Sequence, residues 1–203
     1  MLLEHCHETL PSGWWGPRKW KWHCENLEPW LRSILESLRG LLSNLKEQVD
    51  ALTQELEQRV KGEALPKGLG ALTMAVMDGE VCQWQRFGNR KQVGSYTGCC
   101  PRVYASGGTV RFGNIDRCGN GRLRKQLVEA VWRLLKHQPG WHAARKHLKR
   151  LGDPPVGGGT DSTAQRKKVV VALARQLAID LWRWRTGRCT LAELGFETQI
   201  AAV

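Results

Sequence analysis

Leucine and valine recur along residues 31–56 with a regularity found nowhere else in the chain. Leu31, Leu35, Leu38, Leu42, Leu45, Val49, Leu52 and Leu56 follow one another in alternating steps of four and three, while Arg39, Lys46, Glu47, Asp50, Glu55 and Glu57 fall off that line. This is the seam of a coiled coil. It predicts one long helix over residues 27–61, with no proline interrupting the seam, a weak point on the outer face at Gly40, and Gly62 as its C-cap. One amphipathic helix lying on its own domain would show such a face. The strict heptad makes self-association, or an antiparallel hairpin with another helix, an equal expectation.

Beyond Gly62 the pattern changes. Leu65-Pro66-Lys67-Gly68-Leu69-Gly70 predicts a turn, and the apolar run Ala71 to Met77 follows it. A glycine turn that opens a helix gathers free backbone N–H groups where a phosphate fits, and the spacing looks like a helix-hairpin-helix motif with Gly68 and Gly70 against the DNA backbone. A short helix is expected from about Asn89 to Thr97. Residues 98–119 hold five glycines and little helical period, which predicts an ordered loop or a small β-hairpin with Val103-Tyr104 and Val110-Arg111-Phe112 as strands. Asn120 caps a helix over 121–138 that turns Leu123, Leu127, Val131, Leu134 and Leu135 to the core. A short basic helix over 141–151 and a Pro/Gly loop from Asp153 to Thr160 come next. Asp161 or Ser162 then caps a helix to about Thr186 that buries Val170, Leu173, Leu177 and Leu181, and Thr190-Leu191-Ala192-Glu193 is a capping-box pattern. The predicted fold is mainly α. A long coiled-coil-type helix precedes a compact helical domain with a helix-hairpin-helix-like turn and a small β-hairpin or loop that carries Ser106. The domains fall at 1–26 (a Trp-rich, basic segment), 27–62 (the coiled-coil helix) and 63–203 (the helical domain).

Charge adds a partner class. The 203 residues carry a formal net charge of +12, unevenly spread: residues 1–60 hold 7 Lys/Arg against 9 Asp/Glu, whereas residues 61–203 hold 24 against 10. A basic body points to a polyanion, with nucleic acid favoured over plain solubility, and double-stranded DNA is the partner expected. Trp14, Trp15, Arg18, Lys19, Trp20, Lys21 and Trp22 read either as an aromatic and basic platform for nucleic acid or as a hydrophobic plug, the plug being favoured because tryptophans are costly to leave in water. No apolar run spans a bilayer, and the first residues lack the regions of a signal peptide. Seven cysteines, with Cys99 and Cys100 adjacent, do not form a disulfide framework, so a cytoplasmic protein with reduced thiols is expected. Cys6, His7, His23 and Cys24 lack the spacing of a structural zinc site and read as incidental. Asp116 and Glu129 are isolated. No metal site or cofactor is therefore predicted in the chain.

The candidate chemistry centres on Pro101-Arg102-Val103-Tyr104-Ala105-Ser106-Gly107-Gly108. Small neighbours, Gly107 and Gly108, would let a large anion reach the Ser106 hydroxyl. Arginines clamp phosphate oxygens through paired charged hydrogen bonds. Arg102, Arg111 and Arg124 are the candidate clamps, with Arg122 beside them as a further DNA contact. Arg124 leads because it sits in the first turn of a helix close behind the loop. The plain alternative for Ser106 is an ordinary turn serine, and no histidine lies near it in sequence to act as a base.

Taken in order, Leu65-Pro66-x-Gly68-x-Gly70, Phe87-x-Asn89-Arg90-x-Gln92-x-x-x-Tyr96-x-Gly98, Pro101, Ser106-Gly107-Gly108, Gly113-x-Ile115 and Gly119-Asn120-x-x-Leu123-Arg124 resemble the C-terminal, transposase half of insertion-sequence transposases related to the Piv DNA invertases, the family guided by a bridge RNA. The resemblance implies DNA transposition and recombination by strand cleavage and rejoining. It implies a serine nucleophile at Ser106 that links covalently to DNA, and a guide RNA as a further partner. It also implies an RNase H-like (RuvC-like) domain in front, whose four acidic residues hold Mg2+. The chain is expected to lack that domain and to be incomplete alone, with magnesium needed only alongside it. Thr109 stands where the family has a basic residue, and Asp116-Arg117-Cys118 replaces a Thr-Lys type stretch. The runner-up function is a noncatalytic nucleic-acid-binding module that forms a homo-oligomer through 31–56.

Overall fold

A computed structural model describes residues 16, 19–21, 27–151 and 160–201, with the side chains at 148–151 and 160–165 excepted. Most of the Trp-rich segment, Cys6, His7, His23 and Cys24, the loop after Asp153 and the capping side chains of Asp161 and Ser162 lie outside the described residues. The chain divides into two compact units, Met1–Thr53 and Gln54–Val203.

In the first unit the heptad forms the helix it predicts, α1, Pro29–Gln58, whose range runs on into the second unit. Proline at the first helical position costs no hydrogen bond and presets the backbone angle. Trp20 is buried, with the Arg39 guanidinium 5.2 Å from its ring centre. Leu31 is also buried, but the seam then opens to solvent: Leu38, Leu42, Leu45, Val49 and Leu52 are 47–60% exposed.

The second unit begins where Leu56, near the end of α1, packs on the main core. A turn through Gly62, at φ +80°, leads into β1, Ala64–Pro66. Its antiparallel partner is β4, Thr198–Ile200, at the far end of the chain. The glycine turn therefore joins a strand to α2, Ala71–Val81, and not a helix to a helix as the helix-hairpin-helix reading expected. Ala64-Leu65-Pro66 is too short and too close to proline to continue a helix, and the tail offers it a ladder instead.

The remaining helices are α3, Arg90–Tyr96; α4, Gly121–His137; α5, His142–Leu151; and α6, Thr160–Arg185. Single 3-10 turns lie at Trp84–Arg86 and Ala192–Leu194. Helices α3, α4 and α5 all pack on α6, and α2 packs on α4. One core results, in which Leu123, Leu127, Val131 and Leu134 of α4 join Val170, Leu173, Leu177 and Leu181 of α6. These are the faces the periodicity predicts. The capping box forms as well: Thr190 N donates to Glu193 Oε2 at 2.8 Å and Glu193 N to Thr190 Oγ1 at 3.3 Å. Among the described residues no helix is long and apolar enough to cross a membrane.

Candidate functional site

Residues 98–119 form the predicted hairpin. Strands β2, Pro101–Ser106, and β3, Thr109–Ile115, pair antiparallel, with an irregularity between Pro101 and Val103. Gly107 and Gly108 are the two turn residues, at φ +55° and +82°. Two consecutive positive φ angles belong to the turn whose twist matches a hairpin, and only residues without a Cβ adopt them cheaply. A side chain at either glycine would meet nothing within 4 Å, so the approach to the tip is open.

Register sorts the side chains by face. Val103 pairs with Phe112 and Ala105 with Val110 on one side, while Tyr104 pairs with Arg111 and Ser106 with Thr109 on the other. Ser106 thus closes a polar face that also carries Arg111. Tyr104 and Asp116 nearby hold the Arg102 proton more tightly than usual. Arg102 Nε donates to Asp116 Oδ1 at 3.3 Å. Gly113 makes room for the Tyr104 ring, since a Cβ there would lie 2.7 Å from Tyr104 Cε2. The tip borders an open concavity of about 610 Å³ lined by Tyr104, Ser106, Thr109 and Arg111. Ser106 is exposed.

The base of the hairpin is locked to the helical core. Asn120 Oδ1 caps α4 by accepting from Leu123 N at 2.9 Å. Its Nδ2 donates to Glu80 Oε2 at 2.7 Å, and Tyr96 Oη donates to the Glu80 carbonyl at 2.7 Å. Asn120 N donates to the Tyr96 carbonyl at 2.8 Å. Gly98 and Gly119 touch backbone to backbone: a Cβ on Gly119 would lie 2.5 Å from Gly98 N and 2.6 Å from the Tyr96 carbonyl oxygen. Cys99 is buried under this junction, and burial pushes its thiol pKa up. A buried thiol held protonated is a packing group.

The arginines separate by role. Arg111 lies on the polar face of the hairpin. Arg124 is half-buried and turns inward, its Nη1 donating to the Thr97 carbonyl at 3.2 Å and the Arg117 carbonyl at 3.4 Å. It ties down the hairpin base. Arg122 is 88% exposed and stands 3.8 Å from Glu80. Gly68, at φ +93°, sits on the His137 side chain at the C-terminal end of α4, and Gly70 precedes the first turn of α2. The hairpin springs from the other end of α4. Seventeen helical residues put those ends about 25 Å apart. The fold therefore gathers Ser106, Gly107, Gly108, Arg102 and Arg111 on one hairpin and places Gly68 and Gly70 elsewhere. Sequence reading missed Glu80, which anchors both Tyr96 and Asn120 from 40 residues before Asn120. Its only local signal is a carboxylate, two residues after Asp78, at the end of an otherwise apolar helix. Among the described residues no three His, Cys, Asp or Glu side chains cluster as a metal site.

One comparison bears directly on this hairpin. Residues 66–146 match the Transposase IS116/IS110/IS902 family. The matched stretch runs from the end of β1 into α5 and contains the whole hairpin, its tip serine and its locked base. A candidate transposase of Sinorhizobium fredii is 35% identical over 118 residues, which cover 58% of this chain and 28% of that protein. A candidate family 20 transposase of Pseudomonas aeruginosa is 25% identical over 48% of this chain and 31% of its own length. The transposase for insertion sequence element IS1328 of Yersinia enterocolitica is 24% identical over 52% of this chain and 33% of its own length. The chain thus spans about a third of the length of each of these relatives.

Proposed function

We propose that this chain is the strand-transfer part of an insertion-sequence transposase, in which the Ser106 hydroxyl attacks a phosphodiester of double-stranded DNA. Attack forms the Ser106 Oγ–P bond and breaks the P–O bond to the departing strand. The proton lost by the serine ends on the departing oxygen. The covalent phosphoserine conserves the energy of the broken bond for rejoining. The observation that carries this reading is the hairpin tip: an exposed hydroxyl beside two glycines with open space around them, on a polar face with Arg111, inside the stretch that matches the transposase family. Arg111 and Arg102 supply the charge that holds phosphate oxygens. In this proposal the magnesium-binding acidic residues belong to an RuvC-like domain outside residues 27–201, and a bridge RNA guides the target choice. Two copies pair through 31–56, because the seam from Leu38 to Leu52 is exposed and another seam of the same kind covers it.

Radiolabelled element-end DNA, incubated with the chain alone and mixed with a full-length relative, tests the reading. A detergent-resistant protein–DNA adduct is expected on this chain and is expected to vanish with Ser106→Ala. An undiminished adduct on Ser106→Ala overturns the nucleophile. DNA binding with no adduct on the wild type leaves the noncatalytic module. Affinity is expected to fall with log salt at a slope of about −0.9 per phosphate contact, and a flat response excludes phosphate contacts.

A further inference from the structure

A second basic concavity shares no residue with the hairpin. It has a volume of about 340 Å³ and lies between the start of α3 and the last turns of α6. Arg90, Arg183 and Arg188 line it together with Asn89, Gln176 and Trp182. These three guanidinium groups make no ion pair among the described residues, whereas Arg185 beside them is tied to Glu63 and Asp78. Arg188 lies over the Trp182 ring, 4.2 Å from its centre.

The neutral groups are half spent. Asn89 Oδ1 caps α3 through Lys91 N and Gln92 N, which leaves its Nδ2 donor. Gln176 Nε2 is given to Asp180 Oδ1 at 2.8 Å, which leaves its Oε1 acceptor. Trp182 is 3% exposed, and its indole N–H has no acceptor among the described residues. Three guanidinium groups without an ion pair around one pocket ask for an anion with several oxygens. The pocket is far roomier than a lone phosphate needs, and Ile179 gives it an apolar wall. One amide donor and one amide acceptor remain, the pair that a base edge reads.

We infer that this pocket binds an unpaired nucleotide of a nucleic-acid strand, with the phosphate on Arg90, Arg183 and Arg188 and the base against Ile179 and Trp182. It deepens the proposed function by adding a strand-holding subsite to it, and it stands apart from the chemistry at Ser106. DNA and RNA share the chemistry it uses, and the probes separate them.

The test titrates the chain with an oligothymidylate, an oligouridylate and inorganic phosphate, and follows binding by fluorescence anisotropy and by the Trp182 indole N–H resonance, assigned with Trp182→Phe. Oligonucleotide is expected to move that resonance. The double variant Arg90→Ala/Arg188→Ala is expected to lose at least tenfold in affinity and to flatten the salt slope. Both arginines are exposed, so circular dichroism is expected to be unchanged. Ser106→Ala is expected to leave this binding intact. Tighter binding of one oligonucleotide names the strand. Wild-type affinity in the double variant, a resonance that does not move, or a response to phosphate equal to that of the oligonucleotides overturns the proposal. None of these outcomes touches adduct formation at Ser106, and loss of the adduct with the pocket still binding overturns only the nucleophile.

Discussion

Gly119 shows how much of the site is held by the absence of atoms. Its Cα faces the backbone of Tyr96 and Gly98 with no room for a methyl group. Backbone cannot swing aside as a side chain can. Gly119→Ala is therefore expected to destabilise the second unit by about 3 kcal/mol. Gly79 in α2 has nothing within 4 Å of its would-be Cβ, so Gly79→Ala is expected to stabilise by about 0.5–1 kcal/mol. Urea unfolding of the two variants checks both signs at once. Asn120 caps α4 as the sequence predicts, and Arg124, expected as a phosphate clamp, donates to the backbone carbonyls of Thr97 and Arg117. Both hold the base of the hairpin that carries Ser106.

Among the elements, α1 and the β2–β3 hairpin both display apolar faces. Leu45 lies mid-seam at 57% exposure, and its neighbours on the seam are equally bare. Leu45→Lys would put a charge in the middle of a helix–helix seam. The wild type is expected to dimerise with concentration in sedimentation equilibrium, and the variant to remain monomeric while keeping its helix content. A wild type that stays monomeric across the micromolar range excludes pairing through 31–56. The hairpin is amphipathic too, with Val103, Val110 and Phe112 exposed opposite the serine face. A lone two-stranded ribbon is marginally stable in water. Its order comes from its base, where the Glu80, Tyr96 and Asn120 network and the Gly98–Gly119 contact join it to α2, α3 and α4.

Across the second unit, closure depends on groups far apart in sequence. Gln138 is fully buried at the end of α4. Its Nε2 donates to the Lys67 carbonyl at 2.9 Å and the Glu197 carbonyl at 2.8 Å, and its Oε1 accepts from Glu197 N at 2.9 Å. One side chain thus joins the glycine turn, α4 and the tail that forms β4. Gln138→Leu keeps the volume and removes all three bonds. It is expected to cost about 2–4 kcal/mol and to raise amide exchange in β1 and β4 before the helices, as hydrogen exchange would show.

Local pattern alone carried the helices, the hairpin and its serine. The heptad, the 3.6-residue period of α4 and α6, the Asn caps and the Gly107-Gly108 turn are each decided by neighbours within a few residues, so they could be read before any contact was known. Tertiary structure decided what depends on distant partners. The pairing of β1 with β4 joins segments more than 130 residues apart, and no local period announces a three-residue strand. The inward turn of Arg124 needs the Thr97 carbonyl. The second pocket joins Arg90 to Arg183 and Arg188 only because α3 packs on α6. Backbone preference and side-chain period are properties of the chain. Which charge is spent on a neighbour, and which is left for a ligand, is settled by packing.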